Sequence, residues 1–154
     1  MNKRLQPYLL NIVILALAFI FSVAIGAVFI PPLTVTRIFL ADGDVMRRSF
    51  AELEHILTRL NDAFPRLARV NLYANGGSIA AKSFDELVRL RALRLHTLYM
   101  GLESGDEDIL KRCHKPDTAA TMLQAATLAQ RAGFRMSVMI LLGLTDRAGS
   151  RQHI

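Results

Sequence analysis

The sequence predicts an α/β protein with about four parallel strands, preceded by one hydrophobic transmembrane helix. Three observations carry that expectation. Residues 8–30 contain no charged side chain. From residue 37 onward, short apolar runs alternate with amphipathic stretches of helical period. Capping signals, glycines and prolines punctuate each change. The 154 residues therefore divide into a transmembrane helix with its flanks, residues 1–36, and an α/β domain, residues 37–154.

The apolar stretch comes first. Its 23 residues (YLLNIVILALAFIFSVAIGAVFI) exceed the roughly 20 that a helix needs to cross a bilayer core. Asn11 and Ser22 are its only clearly polar side chains, and Pro31 and Pro32 end it. A transmembrane helix fits best. An uncleaved signal peptide would have a shorter apolar region, and a buried helix would need a large core around it. Gly26, between Ala24 and Ala27, could let a partner helix approach closely in the membrane. Lys3 and Arg4 favour a cytoplasmic amino terminus, whereas Arg37, Arg47 and Arg48 pull the other way.

The α/β domain follows. Residues 37–41 (RIFLA) form a first strand, closed by the turn signal Asp42, Gly43, Asp44. Ser49 and Glu52 make a capping box, after which Phe50, Leu53, Ile56, Leu57, Leu60 and Phe64 share one helical face. Residues 69–74 (RVNLYA) form a second strand, ending in a turn at Asn75, Gly76 and Gly77. A second capping box, Ser83 with Glu86, opens a helix whose buried stripe is Leu87, Leu90 and Leu93. Residues 96–102 form a third strand, and residues 106–114 a short helix. Thr118 caps a helix running to Ala132, where Gly133 ends it. Residues 134–142 (FRMSVMILL) form a fourth strand, apolar enough to be central, with Phe134, Met136 and Met139 as core.

Charge and cysteine usage exclude several function classes. Of 19 Lys and Arg, two precede Arg37; the remaining 17 face 13 Asp and Glu, a mild excess spread along the chain. No basic run is interleaved with aromatics, so nucleic acid is not an expected partner. Arg89, Arg91 and Arg94 read as a solvated helix surface. Cys113 is the only cysteine, and alone it holds neither a structural zinc nor an iron–sulfur cluster. The four histidines, His55, His96, His114 and His153, show no ligand spacing, and His96 and His114 read as solvent-facing.

A parallel sheet binds ligands at the carboxyl ends of its strands. The informative loops are therefore 42–44, 75–78, 103–106 and 143–147. From residue types alone, Asp42, Gly43 and Asp44 could turn the chain and cap a helix. Glu103 could be a solvated acid, and Ser104 or Asp106 a cap.

These segments, in this order, resemble the radical S-adenosylmethionine (SAM) superfamily, in its branch with an oxygen-independent, coproporphyrinogen-oxidase-like domain. RIFLADGD (37–44) resembles the family's second strand and loop, and NLYAN (71–75) the third. YMGLESGDEDILKR (99–112) resembles the fourth strand with its G-x-E-S-G turn, and AGFRMSVMILLGL (132–144) the fifth. The resemblance implies a partial (β/α) barrel. It assigns Asp42, Gly43 and Asp44 to the amino group of SAM, and Glu103 and Ser104 to its ribose and carboxylate side. Backbone groups around Leu141 and Gly143 would meet the adenine. It also implies a [4Fe–4S] cluster bound by C-x-x-x-C-x-x-C, a motif this sequence lacks. Residues 1–36 resemble the first helix of iron–siderophore ABC-transporter permeases.

The expected function is thus a fragment of a radical SAM enzyme, with weak or vestigial SAM binding and no catalysis as it stands. A membrane transport component and a membrane-anchored binding module are the alternatives. Residues 8–30 would make it a single-pass membrane protein, its α/β domain on the cytoplasmic side. The outer strands would be raw edges, with residues 37–41 the least secure.

Overall fold

The computed structural model describes residues 36–145 and Gly149. The chain divides into two units, residues 1–34 and residues 35–154. The expected transmembrane helix falls in the first, outside the described residues. No helix among the described residues is long and apolar enough to cross a membrane.

Among its described residues the second unit contains four strands: β1 Thr36–Leu40, β2 Leu67–Tyr73, β3 Leu95–Glu103 and β4 Arg135–Ile140. They pair in sequence order, all parallel. Five helices fill the connections: α1 Phe50–Ala63, α2 Gly76–Ala80, α3 Phe84–Ala92, α4 Glu107–Arg112 and α5 Ala119–Arg131. One turn of 3-10 helix, Val45–Arg47, precedes α1.

The local rules act where the sequence placed them. Both capping boxes form: the Ser49 and Ser83 hydroxyls accept from the Glu52 and Glu86 amides, and each glutamate reaches back to its serine's N–H. Hydrogen bonding to Ser49 holds the Glu52 carboxyl below its ordinary range. Thr118 caps α5 through the Thr121 amide. Gly133 follows α5 at φ +90°, a left-handed position suited to glycine.

One side of the sheet carries the core. Val70, Leu72, Leu98 and Met100 pack there with Leu53 and Leu57 of α1, Leu87 and Leu90 of α3, and Met122, Ala125 and Ala129 of α5. Polar ties fix the helices. Asn61 donates its side-chain amide to the Leu57 and Leu93 carbonyls at 2.8 and 3.0 Å, joining α1 to the end of α3. The buried Lys82 donates to the Met46 carbonyl at 3.1 Å, anchoring the 3-10 turn.

Several expectations need correction. β4 is an edge of the described sheet, not a central strand. Its apolar residues Val138, Met139 and Ile140 stand exposed, so Met139 is not core. Asn75, Gly76 and Gly77 do not form a plain turn but open α2. Phe64 lies at the surface past the end of α1. His96 is half-buried against the Thr97 hydroxyl, 2.9 Å away. Arg91 and Arg94 are not merely solvated: they donate to the Gly133 and Leu67 carbonyls.

Candidate functional site at the carboxyl ends of the strands

The carboxyl ends of β1, β2 and β3 converge on one cleft of about 310 Å³. Gly43, Asp44, Asn75, Gly101, Glu103 and Lys115 supply its polar and close-approach positions. Tyr73, Tyr99 and Met139 form the apolar part of its wall.

Asp44 organises the near side. Its carboxylate accepts from the Asn75 amide at 3.2 Å, from the Asn75 side chain at 3.1 Å, and from the Ser78 hydroxyl. It thereby ties the loop after β1 to Asn75 and Ser78 at the start of α2, where the Asn75 side chain makes no cap of its own. Asp117 completes the arrangement by accepting from the Gly77 amide at 3.1 Å. Glycine is needed at 76 because a Cβ there would lie 2.9 Å from Met122 Cγ.

Glu103 organises the far side. It ends β3 at φ +64°, in the left-handed region that disfavours a side chain. This conformation coincides with a register shift between Gly101 and Glu103 in the pairing with β4. Its carboxylate lies 3.6 Å from Lys115 Nζ, and that lysine side chain is only 15% exposed. Gly101 makes room for the pair, since a Cβ there would collide with Glu103 Oε1 and approach Lys115 Nζ to 3.3 Å. The cleft therefore presents an acid and a base side by side, beside a second acid held in a network.

The other expected site residues are placed differently. Asp42 is 80% exposed and faces Arg48 at 3.5 Å, in a neighbouring hollow with Phe39 and Val45 rather than in the cleft. Ser104 is fully buried, and its hydroxyl accepts from the Asp106 amide at 3.1 Å. Asp106 in turn caps α4 through the Asp108 and Ile109 amides. Ser104 thus shapes the turn without lining the cleft. The Leu141 amide donates to the Glu103 carbonyl at 3.2 Å, and Gly143 adopts φ +84° beyond it. Neither lines the cleft; Met139 does. Lys115, Asn75 and the tyrosines were not expected. Only Asn75 carried a sequence signal, its place at a strand's carboxyl end.

An aromatic trio adjoins the cleft along the sheet, from Tyr99 and Tyr73 to Phe39 on β1. Phe39, Tyr73 and Tyr99 meet edge to face, with centroids 4.8, 5.3 and 6.2 Å apart. Such rings offer faces and edges to a planar or cationic group.

An iron–sulfur cluster does not fit this chain's own residues. Cys113 stands alone and exposed at the end of α4. No group of three or more His, Cys, Asp or Glu among the described residues could hold a metal.

Comparison with known proteins places this geometry. No curated protein matches the chain in sequence. Among solved structures, coproporphyrinogen III oxidase from Escherichia coli, described as a radical SAM enzyme, superposes with a TM-score of 0.55 at 14% identity, over 66% of this chain and 24% of that one. Elp3 from the archaeon Methanocaldococcus infernus gives 0.56 at 15%, over 70% and 29%. Methylornithine synthase gives 0.57 at 11%, over 76% and 33%. The chain thus spans between a quarter and a third of the length of these structures. They share its fold at identities too low to carry function. The family model of the radical SAM superfamily matches residues 27–150, beginning within the apolar stretch. The chain belongs to the radical SAM superfamily.

Proposed function

We propose that this chain is a SAM-binding portion of a radical SAM barrel, tethered to a membrane by residues 8–30 and unable by itself to cleave SAM. The observation that carries the proposal is the juxtaposition of Asp44, Glu103 and Lys115 around one cleft at the strands' carboxyl ends. SAM brings an ammonium, a carboxylate and a sulfonium close together. Glu103 and the remaining lone pairs of Asp44 suit the ammonium, and Lys115 suits the carboxylate. The tyrosines suit the sulfonium or the purine ring.

In this family the bound cluster supplies the electron that cleaves SAM. Three thiolates hold that cluster, and this chain has one cysteine. Its own residues are therefore assigned to binding and orientation alone. The polar loops around the cleft hold the amino acid part, while Gly43 leaves space for close approach and Gly101 gives room to the Glu103–Lys115 pair.

The test is equilibrium binding of SAM to the full chain in detergent micelles. Saturable binding is expected, weakened roughly tenfold or more by Lys115→Met and by Glu103→Gln. Indifference to both substitutions would remove the cleft from the reading. Incubation with iron and sulfide is expected to give no [4Fe–4S] absorption; a stoichiometric cluster would overturn the assignment of an inactive chain. Absence of SAM binding, together with co-purification of an ABC permease, would favour the transport reading instead.

A further inference from the structure

The side of the sheet away from the helices carries a second charged feature, at the amino-terminal ends of the strands. Side chains alternate along a strand, so Arg37 shares a face with Phe39, Arg69 with Tyr73, and Arg135 with Met139. Contacts among Phe39, Tyr73 and Tyr99 show that β1, β2 and β3 present these residues on one common face. Tyr99 pairs with Ser137, which brings Arg135 of β4 onto it as well. Arg37 and Arg69 are direct neighbours in register, about 5 Å apart as adjacent strands require. Thr97 links Asn71 on one side to Arg135 on the other.

No carboxylate among the described residues answers these charges. Arg37, Arg69 and Arg135 form no ion pair among the described residues. Arg69 Nε is buried without a hydrogen-bond partner, and so is Asn71 Oδ1, two residues further along the same face. His96 feels the same field: burial first, then the charges of Arg91, Arg69 and Arg135, push its imidazole below the ordinary value. Like charges on neighbouring strands repel, and a buried guanidinium N–H without a partner is costly. The face is stabilised by whatever brings oxyanions to it. A planar guanidinium fork matches carboxylate or phosphate in two parallel hydrogen bonds.

We propose that Arg37, Arg69 and Arg135 form a binding site for a small multivalent oxyanion, a polycarboxylate or a phosphate ester, at the amino-terminal end of the open sheet face. Three guanidinium groups on separate strands call for a ligand with more than one anionic group. The site lies at the opposite end of the strands from the Glu103–Lys115 cleft and does not depend on SAM binding there.

The experiment is a titration of the full chain in micelles with citrate, and separately with pyrophosphate, at constant ionic strength. The His96 ring resonance is followed by NMR. A saturable shift is expected, with the His96 pKa rising as the bound anion offsets the arginine charges. Arg69→Gln and Arg135→Gln should each weaken binding roughly tenfold. Arg112→Gln, at the exposed end of α4, should leave it unchanged. Citrate alone would identify a polycarboxylate site, pyrophosphate alone a phosphate site, and either supports the proposal. No saturable shift with either probe would overturn it, as would a shift indifferent to Arg135→Gln. Arg135 is exposed on an edge strand, so its substitution keeps the test valid should Arg69→Gln fail to fold. SAM binding measured on the same sample separates failure here from failure of the cleft.

Discussion

Glu103 holds a left-handed backbone conformation that costs a non-glycine residue about 1 kcal/mol, and its side chain meets Lys115 over a glycine. Strain of this kind persists where a side chain is needed for something other than folding. Glu103→Gly is therefore expected to leave stability unchanged or raise it by up to about 1 kcal/mol, while SAM binding falls. Chemical denaturation and ligand titration on the same variant check both halves; a clear loss of stability would mean that the acid is structural. The two aspartates flanking Gly43 make a second contrast. Asp44 accepts three hydrogen bonds from Asn75 and Ser78 at the start of α2, whereas Asp42 meets only Arg48 at the surface. Asp44→Ala should cost about 1–3 kcal/mol and Asp42→Ala less than about 0.5, read from urea midpoints. The sequence placed both acids in one loop, and which of them faces inward depends on contacts 31 and 34 residues away in the chain. Lys115 was illegible for a related reason. It enters the cleft because the chain turns back after α4, with His114 at φ +53° and the Lys115 amide donating to the Leu110 carbonyl.

Strands and long helices were legible where local chemistry decides them. The capping serines and threonine, the glycine after α5 and the alternation of apolar runs lie within a few residues of what they control. Ser83→Ala and Thr118→Ala should each cost about 1 kcal/mol, checked by thermal or urea unfolding. The short helix α2 was not legible. Two glycines oppose a helix there, and it forms because Asp117 caps it and Asp44 holds Asn75 and Ser78, both from remote segments. At β3, His96 links an element to pH. Its imidazole is depressed below the usual value of about 6.5, by burial and then by Arg91, Arg69 and Arg135. Between the folded and unfolded values the unfolded chain binds more protons, so stability rises with pH there. The contribution is complete above about 6.5 and falls away as pH drops from there towards the folded value. Unfolding free energies from pH 7.5 to 5 should show that decline, and His96→Gln should flatten it. An identical slope in the variant would assign the effect to other groups.

Across the whole α/β unit, the helices cover one face of a four-stranded sheet and leave the other face and both edges open among the described residues. The apolar run of β4 suggested a central strand because composition reports how much a strand would gain from burial, not which neighbours it receives. Val138, Met139, Ile140, Leu141 and Leu142 stay exposed in succession, the last at 78%. β1 is in a similar position: its described residues include none that is buried, whereas β2 and β3 between them bury Leu67, Val70, Leu72, Leu95, Leu98 and Met100. Local opening follows burial and strand pairing, so stability should fall from the centre of the sheet outward. Amide hydrogen exchange on the full chain is expected to show β2 and β3 slowest, with residues 37–40 and 135–140 exchanging faster. An unpaired, apolar edge is also a template for another strand. Val138→Lys should therefore slow aggregation while leaving the exchange of β2 unchanged. Protection of residues 37–40 as deep as that of β2 would show that this edge is not raw, and that a segment outside the described residues completes the sheet.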